Sequence, residues 1–162
     1  MPLMGGVLHA LATTPLSQAM REGAWLYPIV EIVHIAGFSV LVGSVVLFDL
    51  RVLGFARTLP VVALGKHLLR WALASVLLVV PAGLLLFTAH PVELANNPAF
   101  LLKLVLIALA GLNALAFHLL PYRSVASWDR DAPAPMLARA GAVSSILLWL
   151  GVITCGRLLA YL

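Results

Sequence analysis

Only one cysteine, Cys155, occurs in the chain, so no disulfide can close within it and no cysteine cluster can hold a metal. Charge is equally scarce. Asp, Glu, Lys and Arg together make up 10% of the 162 residues, six acidic against ten basic, while 63% are hydrophobic. A soluble core of this size needs a polar shell, and sixteen charged side chains cannot provide one. The excess of four positive charges does not suggest nucleic acid, because the basic residues stand singly between apolar runs rather than on one face. No glycine-rich phosphate loop, nucleotide-binding pattern or nucleophile-and-base motif is present. Internal repeats and low-complexity tracts are missing too. The N-terminus lacks a basic leader, and Thr13, Thr14, Pro15 and Ser17 interrupt its apolar run, so no cleaved signal peptide is expected.

What the chain has instead is long apolar stretches. A helix needs about 20 apolar residues to cross a bilayer. Four stretches reach that length, at residues 26–52, 67–88, 98–120 and 138–162. Pro28 falls in the first turn of the first, Gly54 and Pro60 follow it, and Pro91 follows the second. Asn97 and Pro98 start the third, which Pro121 closes. Pro81 lies inside the second span, where neighbouring helices tolerate a kink. Residues 7–20 are too short and too polar to span, and are expected to lie on the membrane surface as one amphipathic helix. The expected fold is an all-α integral membrane four-helix bundle, one domain over residues 1–162, with the lipid bilayer as its main partner.

Orientation follows from the basic residues. Arg51, Arg57, Lys66 and Arg70 flank the first connection and Arg123, Arg130 and Arg139 the third, whereas the second carries Glu93 and no Lys or Arg. The positive-inside rule then puts those two connections in the cytoplasm and both termini in the periplasm of a bacterial inner membrane. Trp25, Tyr27, Trp71, Tyr122, Trp128 and Tyr161 fall near the expected interfaces, as an aromatic belt would. Asp49 and Arg51 read as an ion pair at a helix end. Ser39 with Gly43, and Gly111 with Ala108 and Ala114, offer small faces for close helix approach.

Function is sought where a polar group stands at a depth that penalises it, a cost of about 3 kcal/mol per ionisable side chain on insertion scales. His34 is eight residues into the first span, about 12 Å along the helix. Glu31 precedes it by one turn on the same face, placed to orient the imidazole. Lys103 in the third span and Arg157 in the fourth fall on the same outer side, so Glu31, His34, Lys103 and Arg157 can converge in a pocket suited to an anion, a quinone or porphyrin propionates. His90 could cover that pocket, although His90 and His9 both suit a plain surface position. At the inner side His67 and His118 stand at matching depth on antiparallel spans, an alternative pair of axial ligands to haem b iron. Both positions also suit interfacial histidines.

The run Thr14-Pro15-Leu16-Ser17, then Trp25-Leu26-Tyr27-Pro28, Glu31, His34, Gly37, Val42-Gly43 and Asp49-Leu50-Arg51 resembles a family of bacterial membrane proteins of unknown function. The likeness continues through Trp71, Gly83 to Phe87, Asn97 to Phe100 and Lys103-Leu104. More distantly, a histidine early in the first helix followed by glycine and an inner arginine, a tryptophan and glycine in the second helix, and Lys-Leu opening the third are similar to the four-helix haem-dependent protoporphyrinogen oxidases. The copper-resistance D membrane proteins look similar over the same stretch. The oxidase resemblance implies His34 and Lys103 as haem ligands on adjoining helices.

The expected function is therefore a haem b membrane protein that moves electrons between a quinone or periplasmic redox partner and another acceptor, a possible membrane oxidoreductase. A competing expectation is a copper or other metal permease or accessory subunit binding a cation through Glu31, His34 and Cys155, although Lys103 and Arg157 would oppose that charge. A third is a noncatalytic subunit of a homo-oligomer or larger membrane complex.

Overall fold

The computed structural model describes residues 2–159 and 161, with side chains from residue 5 onward. Among the described residues seven α-helices follow one another: α1 (Pro2–Ala12), α2 (Pro15–Glu22), α3 (Leu26–Leu53), α4 (Val61–Ala89), α5 (Pro91–Asn96), α6 (Pro98–Leu119) and α7 (Met136–Leu158). A 3₁₀ helix, Pro121–Ser127, joins α6 to α7. The helices α3, α4, α6 and α7 are each long and apolar enough to cross a membrane, and the chain is a multi-pass membrane bundle. Their outward surfaces carry leucine, isoleucine and valine, such as Ile32, Leu77, Leu112 and Leu147. Such faces need lipid around them.

Local chemistry explains most of the boundaries. Asn97 accepts from the backbone N–H groups of Ala99 and Phe100, at 2.9 and 3.3 Å, and Pro98 follows at the first helical position. Gly54 ends α3 in the left-handed conformation, φ 109°, its N–H returning to the carbonyls of Leu50 and Arg51. The second span begins at Val61, six residues before His67, because Pro60 and the fold of the α3–α4 connection start the helix there. The expected fourth span runs to Leu162. Its helix ends at Leu158, and Ala160 and Leu162 lie outside the described residues. The expected single surface helix is two, because Thr14 caps α2 by accepting from Ser17 N–H at 3.2 Å and Pro15 opens it.

The bundle is ordered α4, α3, α7, α6: α3 packs on α4 and α7, and α7 on α6. The backbones of α4 and α6 do not come together, and the two helices meet through the Phe87 and Phe100 rings, stacked 5.5 Å apart. Closest approach occurs at glycines. A Cβ at Gly37 would lie 3.0 Å from Val79 Cγ2 and 3.5 Å from Ser75 O, and one at Gly151 would lie 3.0 Å from Leu106 Cδ1. The expected small faces at Gly43 and Gly111 meet nothing within 4 Å, since they point away from the neighbouring helices of the same chain.

The connections are held by two arginines. Arg51 is 3% exposed and donates to the carbonyls of Leu59 at 2.6 Å and of Arg57 and Asp129 at 3.0 Å, fastening the α3–α4 connection to the one before α7. Arg21 donates to Ser17 Oγ, to Ala89 O at 3.0 Å and to Ala12 O at 2.9 Å, tying the ends of α1 and α4 to α2. Trp128, expected in an interfacial belt, is buried with Phe48, Val52 and Phe117 in the core at that end of the bundle. The folded-back 3₁₀ segment carries it inward, and its indole N–H donates to Ser124 Oγ at 3.2 Å.

Candidate functional site

The close crossing at Gly37 brings α3 against the backbone of α4, and His34, one turn away, is drawn into the same contact. Its Nδ1 lies 2.9 Å from the Val79 carbonyl. A carbonyl oxygen can only accept, so Nδ1 carries the proton and Nε2 keeps its lone pair. The ring lies over Gly83, where an added Cβ would fall 3.0 Å from His34 Cε1 and 4.0 Å from Nε2. Pro81 sits between these two contacts and brings no N–H to that turn of α4. Phe38 stacks parallel to the imidazole, with ring centroids 6.5 Å apart, and Trp149 of α7 meets Phe38 edge-on at 6.0 Å. The half-buried imidazole is thus fixed by one hydrogen bond, one glycine and an aromatic wall.

Lys103 of α6 is half-buried and close enough for its charge to act on His34. Its Nζ does not turn up to water along its own helix but leans on α7, 3.9 Å from where a Cβ of Gly156 would lie and beside the buried Cys155. Among the described residues it has no hydrogen-bond acceptor and no ion-pair partner, the only ion pair there being His90 with Glu93 at 3.3 Å. A free imidazole nitrogen and an unpartnered amine therefore stand in the same half of the bundle.

The other expected site residues are placed differently. Glu31 is exposed one turn from His34, near enough to act on it electrostatically but bonded to nothing among the described residues. Arg157 is exposed and turns to Tyr161, donating to its hydroxyl and lying 4.8 Å over its ring. Of the four residues expected to converge, His34 packs on α4 and Lys103 leans on α7; their helices α3 and α6, expected to adjoin, make no backbone contact because α7 stands between them, and Arg157 is committed elsewhere. His90 lines a surface cleft of about 350 Å³ with Arg21, Tyr27 and Pro28. His9 is exposed.

At the other end, His67 and His118 are both exposed, and they stand on α4 and α6, whose backbones do not approach. His118 Nδ1 is bonded to Ala114 O of its own helix at 2.8 Å, and its ring lies 5.2 Å from that of Tyr122. Matching depth does not make these two a facing pair within one chain, because α4 and α6 are the two ends of the packing order and make no backbone contact. No group of three or more His, Cys, Asp or Glu able to hold a metal ion occurs among the described residues. Glu31, His34 and Cys155 accordingly form no such group, and Lys103 beside Cys155 would repel a cation.

One group of chemical interest escaped the sequence reading. Asp49 is only 6% exposed, with Oδ2 lacking any hydrogen-bond partner. It is not paired with Arg51, contrary to expectation. Residues two apart on a helix do not face each other, and Arg51 turns into the connections while Asp49 turns toward Ser145 of α7. An acid set between Phe48 and Leu50 in an apolar run was the available signal.

Residues 22–162 match the model of a family described as a family of unknown function, DUF6644. Neither the curated proteins nor the solved structures contain a match to the chain.

Proposed function

Because the chain belongs to that DUF6644 family, whose description assigns no activity, we propose from its own residues that it is a haem b-binding membrane protein that transfers electrons. The observation that carries this reading is the His34 imidazole. Its Nδ1–H is committed to Val79 O, which is the arrangement that orients a metal-ligating histidine and leaves Nε2 as the donor atom. Lys103, unpartnered at membrane depth, supplies a second nitrogen donor on a different helix. His34 Nε2 and Lys103 Nζ would be the nitrogen donors that hold a haem iron, as the resemblance to haem-dependent oxidases implies, and such a set suits a copper site poorly. Bound there, the haem supplies one-electron chemistry.

The protein's own part is to orient and to insulate. Val79 O holds the ring plane and tautomer, Gly83 gives the ring room, and Phe38 and Trp149 keep water from one side of it. Lys103 would hold the iron through its lone pair, which requires the amine to be unprotonated. With the basic connections in the cytoplasm of a bacterial inner membrane, the site lies in the periplasmic half, within reach of a quinone or a periplasmic donor.

The test is an absorption spectrum of the purified chain in oxidised and reduced forms after loading with haem. A Soret band that changes with redox state, and that shifts or disappears in His34→Ala and in Lys103→Ala but not in His67→Ala or His118→Ala, supports the reading. Absence of a Soret band, or one untouched by His34→Ala, overturns it.

A further inference from the structure

We propose that Asp49 is a proton-binding site inside the bundle, its buried carboxyl exchanging a proton with water beside the buried Ser145 of α7. Four residues, or about 6 Å, separate Asp49 from the end of α3, and roughly 22 Å of helix separates it from His34, so it is a second site and does not depend on haem.

The proposal rests on how few partners the carboxyl has. Asp49 is more than nine-tenths buried, and its Oδ2 faces no donor. A charged carboxylate so placed needs a cation or several N–H groups, since burying it bare costs several kcal/mol. None is provided. On its own helix Arg51 is spent on three backbone carbonyls. From α4, Lys66, His67 and Arg70 are exposed, as are His118 of α6, Arg123 of the 3₁₀ helix and Arg139 of α7, and no charged group acts on Asp49. Asp129, in the following connection, is occupied by Val62 N–H at 2.8 Å. The neighbour that Asp49 does have is neutral, the buried Ser145 of α7. A proton is the ligand that such a site can hold without a second charge. It is close enough to the end of the bundle for that proton to come from the aqueous face through the connections Arg51 organises.

Infrared spectroscopy of the full chain in lipid nanodiscs tests this directly. Wild type should show the C=O stretch of a protonated carboxyl that weakens as pH is raised, shifts in D₂O and is lost in Asp49→Asn. Ser145→Ala, which keeps the carboxyl, should shift the band by replacing a polar neighbour with an apolar one. If no carboxyl band responds to pH, or the band survives in Asp49→Asn, or it is blind to D₂O, the proposal fails. Loss of the band on adding sodium at constant pH would equally overturn it in favour of a cation site.

Discussion

The His34 ring occupies the space that any side chain at position 83 would need: its Cε1 is 3.0 Å from the point where a Cβ of residue 83 would sit, while its Nδ1 reaches the Val79 carbonyl at 2.9 Å. Glycine at 83 and the histidine's orientation are one arrangement.

Gly83→Ala is therefore expected to destabilise the bundle by about 1–3 kcal/mol, because the ring must give way and its hydrogen bond lengthen. Gly111→Ala, where a Cβ meets nothing within 4 Å, should instead stabilise by up to about 1 kcal/mol through helix propensity. Equilibrium unfolding by sodium dodecyl sulfate in mixed micelles measures both. Equal effects of the two substitutions would show that the contact over Gly83 carries no weight.

Lys103→Met should stabilise the haem-free chain by about 1–3 kcal/mol, since it removes a cation that has no partner at membrane depth. The same change should shift the haem spectrum, because the second nitrogen donor is replaced. A side chain kept for structure would behave in the opposite way, losing stability when replaced, and the two assays on one variant separate the cases.

Arg51→Lys is expected to be nearly as damaging as Arg51→Ala, with a loss of about 3 kcal/mol or more in each. The forked guanidinium reaches Leu59, Arg57 and Asp129 from two nitrogens, and a single ammonium on a flexible stem cannot bridge them. Rescue by lysine in the same unfolding assay would mean that charge rather than geometry matters here.

Arg21→Ala should release the surface helices while leaving the bundle folded. Its bonds to Ala12 O, Ser17 Oγ and Ala89 O join α1 and α2 to the end of α4, and Ser17 Oγ adds one bond to Thr88 O at 2.8 Å. Faster amide hydrogen exchange across α1 and α2, at least tenfold and confined to them, is the expected result. Unchanged exchange in α2 would contradict it.

The four spans, their caps at Asn97 and Gly54 and the isolation of His34 and Lys103 were all readable along the chain. An apolar run of membrane length is a property of consecutive residues, and so is the depth of a polar group within it. Depth, however, says nothing about angle. His67 and His118 match in depth and still sit on helices whose backbones do not meet, and Asp49 and Arg51 are two residues apart and yet turn to different neighbours. Which helix packs on which is set by glycine contacts at Gly37, Gly65 and Gly151, each involving residues distant in sequence. The partners that give the site its chemistry, Val79 O for His34 and α7 for Lys103, emerge from that packing, because a backbone carbonyl has no signature in sequence and a lysine's long stem can lean several ways.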